Sequence, residues 1–535
     1  MRSLFFGAAL MMARLLLLLL PSAAAADAAA FDVAVTVGIA HAATVVTSLT
    51  SVTMDVCLCK QNFPFGDPTL LALTSHLGGG ASILRVGGSD QNDFYYDVNS
   101  TKTSPYSAKS GERCCKSPGS CHGCAKDCTL PAPYWKSISD FAKASGHKLM
   151  FGLVPKTDEA TALITHSAKE GLPVVAYTFG NEVDSDAVTK GYPVLRKLLS
   201  DTSIFPAGTA PKLAGPDVAL QRHAAIDDAL AGGDSNVVKK LEFVESFAAS
   251  IGTTLDVISW HTYDFETRDI GMTDHTTLSV HPETARLWST KYLDFALRLA
   301  GNMTAIRNRV APQADVWLSE SDSICHQGVM GVTNAYLNSV WLVNRLGIMA
   351  NANVTVMARQ SLVGYNYSLL GNWPVEPIKP NPDFYTTVLF RRLFGDTVLA
   401  TTATPSAPGP APTNATGGGD RVRAFAFCAS GGGGAIAVSM VNFDPDAAAT
   451  FKFDKALGAH REYLLAPGAD PVVASAAWSS REMLLNGELL KIGPGGALPR
   501  GLMGGGKGGE GSVVLQPLHV GFAVFPDAGV ADCKK

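Results

Sequence analysis

Charge is scarce in this chain. Only 17% of its 535 residues are charged, and 43 basic against 47 acidic side chains leave a formal charge of −4. No long basic run stands out, so the electrostatic footprint of a nucleic-acid binder is missing and nucleic acid is not expected as a partner. Beyond the first 27 residues no apolar stretch approaches the ~20 residues that a bilayer-spanning helix needs, which argues against stable membrane insertion of the body. No glycine-rich phosphate fingerprint follows the first predicted strand, so a doubly wound dinucleotide-binding sheet is disfavoured. What the chain has in quantity is apolar residues, 47%, with 52 Gly and 30 Pro. That composition is globular and loop-rich, and the length exceeds what one hydrophobic core fills.

Met1 to Asp27 carries Arg2 and Arg14, six leucines from Leu15 to Leu20, then Pro21 and an alanine-rich patch. This is the pattern of a secretory signal, with cleavage expected near Ala24 to Ala26. An anchoring helix fits less well because Arg14 interrupts a run that is already short. Secretion, or delivery to an endomembrane lumen such as a vacuole or lysosome, puts the ten cysteines in an oxidising compartment. Cys114, Cys115, Cys121, Cys124 and Cys128 cluster, while Cys57, Cys59, Cys325, Cys428 and Cys533 stand apart. Disulfides are favoured over a zinc knuckle built from Cys121, His122, Cys124 and Cys128, and neither a metal nor a cofactor is expected. Asn99, Asn302, Asn353, Asn366 and Asn414 head glycosylation sequons.

Short β-branched or apolar runs alternate with helical stretches through the first two thirds of the chain. Strands are predicted over Ser51 to Val56, Ser82 to Ser89, Lys148 to Val154, Val174 to Asn181, Lys212 to Asp217, Val257 to Tyr263, Asp315 to Ser319 and Val354 to Ser361. Helices are predicted over Trp135 to Ser145, Ala160 to Glu170, Asn236 to Ile251, Thr284 to Arg309 and Thr333 to Asn351. Eight such repeats imply an α/β fold, a (β/α)8 TIM barrel over residues 47–400 with a cysteine-rich insert at 114–128. Residues 404–419 form a Pro-, Ala- and Gly-rich connector. The runs Arg421 to Cys428, Gly434 to Val441, Ala449 to Phe453 and Ser512 to Phe525 then suggest a smaller β-sandwich over 401–535, which the β-rich segment within 27–46 is expected to join. Gly495 to Gly511 is expected to be a mobile glycine-heavy loop.

Barrel chemistry concentrates where strands end. The fourth predicted strand ends Phe179-Gly180-Asn181-Glu182 and the seventh ends Trp317-Leu318-Ser319-Glu320. A lone glutamate after a strand is usually a solvated loop carboxylate. Two of them on cross-barrel strands are what glycoside hydrolysis requires, one to protonate the leaving oxygen and one to attack the anomeric carbon or activate water. Trp260, Tyr95, Tyr96, Tyr263, Tyr365, Tyr367 and Trp373 could offer faces to sugar rings.

Longer passages carry a specific likeness. Ser51-Val-Thr-Met-Asp55, Leu84-Arg-Val-Gly-Gly-Ser89, Phe179-Gly-Asn-Glu182, Ala214-Gly-Pro-Asp217, Ser259-Trp-His-Thr-Tyr263, Val316-Trp-Leu-Ser-Glu320 and Val356-Met-Ala-Arg-Gln360 occur in the order seen in the heparanase and β-glucuronidase family, glycoside hydrolase family 79, which the chain resembles over most of its length. The resemblance implies a retaining glycosidase acting on β-linked glucuronic acid in a polysaccharide or proteoglycan. It implies Glu182 as acid/base and Glu320 as nucleophile, with Asn181 on the sugar 2-hydroxyl and Tyr263 on the nucleophile. Asp55, Ser89, Gln360 and Tyr367 would line the cleft, and Cys428 would pair with Cys533. Retention requires one carboxyl group protonated and the other ionised, roughly 5 to 5.5 Å apart.

Three departures qualify this. His326-Gln327-Gly328 stands where relatives carry a glycine run that grips the uronate carboxylate, although His326 could itself pair with one. Cys57 replaces an asparagine, and the cysteine cluster has no counterpart, so the insert is expected to be stapled over the cleft rim with Cys57, Cys59 and Cys325. A catalytically silent glycan-binding relative and a retaining glycosidase for a neutral sugar are the competing functions. Sulphated glycans usually meet clusters of Lys and Arg, and with none longer than Arg391-Arg392 and its neighbours here, weak retention on heparin is expected. Elution only at high salt would contradict this.

Overall fold

The computed structural model describes residues 30–38, 48–115, 124–222, 226–230, 232, 234–406 and 420–534. The expected export signal, Cys121, His122, Asn414 and connector residues 407–419 lie outside the described residues.

All eight predicted barrel strands form, as Ser48–Asp55, Ile83–Gly87, Lys148–Leu153, Val174–Phe179, Lys212–Ala219, Val257–Phe265, Asp315–Ile324 and Val356–Arg359. Each pairs in parallel with the next and the last pairs with the first, closing the barrel. The strands from Ile83 and from Val257 are buried at every position. That is the pattern of a parallel sheet covered on both faces, by side chains inside and helices outside. The seventh strand runs on to Ile324, past the predicted end at Ser319, because its register against both neighbours shifts at the level of Glu320. Such irregularities re-aim side chains beside active sites.

Four predicted helices form as Ala132–Ala144, Thr157–Lys169, Ser235–Ile251 and Tyr336–Asn351. The fifth does not run unbroken. Pro282–Trp288 is a 3₁₀ segment, the chain is extended at Ser289, and helices follow over Thr290–Leu293 and Phe295–Val310. The break lets Trp288 pack on Trp478 and Tyr292 reach Asp227. Asp186–Leu199 is helical despite Pro193, starting at Ser185, whose hydroxyl accepts from the Val188 N–H.

The C-terminal part forms two sheets. One holds Thr401–Pro405, Ala30–Val37, Ala448–Phe453 and Ser512–Leu515, so a strand that precedes the barrel joins the sheets that follow it. The other is built on Phe394–Leu399, Val422–Ala429, Ile436–Asn442, Val520–Phe525 and Ala459–Pro467. Ser512 to Phe525 is therefore two strands in different sheets, separated around Pro517. Gly495 to Gly511 is not simply a loop: Lys507–Glu510 pairs with Ala459–Pro467. A Cβ at Gly509 would lie 2.2 Å from the Glu462 carboxylate, so that side chain would have to move.

Alternation along Val422–Ala429 explains how the sheets join the barrel. Val422, Ala424, Ala426 and Cys428 face the other sheet with Val33, Val35 and Phe451. Phe425 and Phe427 face outward, into the main core. There Phe427 meets Phe390, on the helix Pro382–Leu393, and Phe425 lies over Gly347 of the helix Tyr336–Asn351. That helix is buried from Tyr336 to Ala350, its polar residues Asn338, Ser339, Asn344 and Arg345 included. The Cys428–Cys533 disulfide, implied by the resemblance, is formed.

The insert is closed on itself by Cys114–Cys128 and Cys115–Cys124. These bonds use sulfurs that a zinc knuckle would need. Cys57 is also disulfide-bonded, to a partner outside the described residues. Cys59 and Cys325 remain thiols, so the expected staple to them does not form.

A Cβ on Gly347 would sit 2.2 Å from the Phe425 ring. Gly347→Ala should destabilise the protein by about 1–3 kcal/mol, as overpacking does, and a lower denaturation midpoint by circular dichroism would register it.

Candidate active site

The fourth barrel strand stops at Phe179, and the chain turns left-handed at Gly180 (φ 79°) and again at Glu182 (φ 58°). A glutamate tolerates that conformation only when its surroundings enforce it. Two restraints do so: the Glu182 N–H donates to the Asp217 carbonyl at 3.0 Å, and the side-chain amide of Asn92 both donates to and accepts from the Asn181 backbone at 2.9 Å. Glu182 Oε1 lies 2.8 Å from His261 Nδ1.

Glu320 sits level with His261 on the neighbouring strand. Tyr263 Oη donates to Glu320 Oε1 at 2.6 Å and Arg85 Nη1 to Oε2 at 2.8 Å. The remaining Arg85 amino group donates to Asn181 Oδ1 at 2.8 Å and to Asp217 Oδ2 at 2.7 Å. Asp217 also takes the Ser319 hydroxyl and lies 3.2 Å from His261 Nε2. One carboxylate oxygen of Glu182, one of Glu320 and a ring nitrogen of His261 are all within 4.8 Å of one another. The two glutamates line one cleft of about 660 Å³, room for a sugar unit and its neighbours.

Electrostatics separate the supporting groups. Burial would push His261 down, but Asp217 and Glu320 outweigh it and raise it to about 10. Burial would push Asp217 up, yet Arg85 and His261 hold it well below the usual carboxylate range. Asp55 moves the other way: burial, opposed by a hydrogen bond from the Cys57 N–H and aided by Asp90 and Glu320, raises it to about 7.

The structure brings the predicted site residues together at this end of the barrel. Asp55, Ser89, Tyr263, Gln360, Tyr367 and His326 line the cleft with the two glutamates, and Asn181 lies beneath it on Arg85. Gln360 accepts from Thr53 and donates to the Tyr367 hydroxyl. His326 already has a protein carboxylate beside it, Glu266, at 3.3 Å. Of the aromatics, Tyr263, Tyr365 and Tyr367 face the cleft. Trp260 is fully buried and offers no face, and Trp373 packs on Phe63.

The sequence gives no role to Arg85, Asp217 or Asn92, and marks His261 only as part of the His261-Thr262-Tyr263 end of the sixth strand. The signal for Arg85 was present: a cation in the middle of Ile83–Gly87 must meet anions inside the barrel. Asn92 had none, since its partner is backbone distant in the chain.

No family model matches the chain. It is 26% identical to heparanase-like protein 2 of Arabidopsis thaliana over 337 residues, covering 60% of this chain and 57% of that protein. It is 32% identical to baicalin-β-D-glucuronidase of Scutellaria baicalensis over 196 residues, 36% of this chain and 33% of that one. The chain thus spans a little over half the length of the first relative and less of the second. Among solved structures, the GH51 arabinofuranosidase from Xanthomonas axonopodis pv. citri aligns with a TM-score of 0.62 at 12% identity, over 92% of this chain and 99% of that one. That likeness is one of fold.

Asp55 yields a pH prediction. Folding raises it from 3.8 to about 7, so between those values the folded protein keeps a proton that the unfolded chain releases. Stability should therefore fall as pH rises through that window and level off above it. Asp55→Asn should remove this component, narrowing the melting-temperature difference between about pH 5 and about pH 8, conditions on either side of the shifted value. An unchanged difference would refute the assignment.

Proposed function

We propose that this chain, a member of the heparanase and β-glucuronidase family, is a secreted retaining glycoside hydrolase that cleaves β-linked glucuronic acid in polysaccharides or proteoglycans. The observation that carries the reading is the approach of the Glu182 and Glu320 carboxylates to within 4.8 Å. Inverting enzymes keep roughly 6.5–9.5 Å between the two groups to hold a water, whereas retaining ones need about 5–5.5 Å.

Glu182 gives its proton to the glycosidic oxygen while Glu320 attacks the anomeric carbon, forming a glycosyl ester and releasing the leaving sugar. Glu182, now ionised, takes a proton from a water that attacks the same carbon and frees Glu320. Arg85 and Tyr263 aim donors at both Glu320 oxygens, which suits an ionised carboxylate, an acceptor only. His261 supplies a charged donor to Glu182 Oε1 as negative charge develops there.

Support for a uronate comes from the cleft rim. His326, Gln327 and Gly328 are all left-handed, at φ 53°, 79° and 73°. His326 adds a side chain able to meet a carboxylate at the cleft. The disulfides favour an oxidising compartment, and no helix among the described residues is long and apolar enough to cross a membrane.

The test is turnover of aryl glycosides by wild type, Glu182→Gln and Glu320→Gln. Wild type should prefer the β-glucuronide, and the initial product seen by NMR should be the β anomer. Glu182→Gln should lose about 10²–10⁴-fold in kcat with a poor leaving group, the usual share of general acid catalysis, and less with an activated one. Equal near-zero rates in all three proteins would leave a glycan-binding protein. Preference for a xyloside or glucoside would overturn the uronate assignment, and an α product would overturn retention.

A further inference from the structure

One wall of the cleft carries ligating side chains that hydrolysis does not need. Ligand atoms of Glu266, Cys325 and His326 lie within 4.8 Å of one another, with His326 Nε2 3.3 Å from Glu266 Oε2. Cys325 is a thiol, buried but on the cleft wall, with the Gln221 amide directed at its sulfur. The His275 ring stands 5.6 Å from that of His326, and its buried Nδ1 has no hydrogen-bond partner.

Two other groups of potential ligands border the cleft, and each is already satisfied. In the group of Asp55, Cys57 and Asp90 the sulfur is tied up in a disulfide and Lys60 pairs with Asp90. In the group of Glu182, His261 and Glu320 the Arg85 guanidinium and the doubly paired imidazole occupy the carboxylates. Only the group at Cys325 combines a free thiol, an imidazole that reaches solvent and a carboxylate, without a lysine or arginine paired to any of them among the described residues. One sulfur, one nitrogen and one oxygen donor, with room on the cleft side, are the set that zinc accepts with an open fourth position. Calcium and magnesium prefer oxygen donors alone.

We propose that Cys325, His326 and Glu266 form a binding site for a zinc-class divalent ion on the cleft wall, and that its occupation inhibits the enzyme. On binding, the Cys325 S–H bond breaks, its proton passes to solvent, and the thiolate, the neutral His326 imidazole and the Glu266 carboxylate donate lone pairs to the ion. No electron is transferred. The ion would withdraw His326 from substrate and set positive charge beside the acidic floor of the cleft. Inhibition rests on the hydrolase reading above, whereas metal binding does not.

Titration of the full chain with Co²⁺ alone, at neutral pH, tests binding without reference to activity. The expected result is a thiolate-to-cobalt charge-transfer band saturating at one equivalent. It should be absent in Cys325→Ser, which retains the other described thiol, Cys59. It should weaken roughly tenfold or more in affinity in His326→Ala, at least what the loss of a supporting group costs. Melting curves for both variants check that they fold. Absence of the band, or its survival in Cys325→Ser, overturns the site. In the activity assay, Zn²⁺ should inhibit wild type, a chelator should restore it, and Cys325→Ser should resist. Equal inhibition of wild type and Cys325→Ser would overturn the inhibitory role while leaving the hydrolase assignment intact.

Discussion

Arg85 is enclosed in the barrel with 1% of its surface exposed, and a cation in that position must be matched by anions or its desolvation is ruinous. Glu320 and Asp217 match it, and Asn181 accepts a further hydrogen bond from it. From Asp217 the network continues to His261 and from there to Glu182. The two candidate catalytic glutamates are thus the ends of one alternating series: carboxylate, imidazole, carboxylate, guanidinium, carboxylate. Each member orients the next, and removing Arg85, the one buried cation between Asp217 and Glu320, would leave carboxylates short of a partner, a loss of about 3–5 kcal/mol in comparable buried pairs. The short reach between the glutamates follows from this arrangement, because His261 and Arg85 bind them from inside the barrel rather than from mobile loops.

A second layer of buried charge connects the site to the sheets. Arg345 pairs with Asp264, and Trp341 Nε1 donates to the same carboxylate at 2.6 Å. Asp264 follows Tyr263 on the sixth strand, so the helix that carries Trp341 and Arg345 positions the strand that presents Tyr263 to Glu320. The same helix begins at Tyr336, whose hydroxyl donates to the Leu465 carbonyl of the C-terminal sheet at 2.7 Å. Arg359, at the end of the eighth strand, is held between Asp322 and Asp383, the latter on the helix Pro382–Leu393. The C-terminal sheets therefore brace the two helices on which the sixth and eighth strands lean.

Carboxyl groups dominate the cleft itself. Asp55, Asp90, Glu182 and Glu320 line it, and Glu266 stands behind His326. Carboxylates gathered in this way repel polyanions. They also attract cations, which makes a thiol beside a histidine and a carboxylate consequential.

Much of this was legible in the chain. Eight apolar runs spaced by helical stretches specify a barrel because a parallel sheet needs both faces covered, and hydrophobic periodicity reports that directly. A glutamate closing the fourth run and another closing the seventh mark the open end, where barrel strands finish. Local pattern failed where the deciding contact is remote. Ser289 interrupts a helix where Trp288 packs on Trp478, Gly509 sits against the Glu462 side chain, and Cys325 stays a thiol while Cys114, Cys115, Cys124 and Cys128 pair with one another. Periodicity and composition determined the architecture and the kind of chemistry, since both depend on neighbours a few residues apart. Which charges meet, that Asp217 and His261 bind the two glutamates into one network, and that Tyr263 lines the cleft while Trp260 does not, were decided only by tertiary structure, because strand register and twist set the distances between residues far apart in the chain.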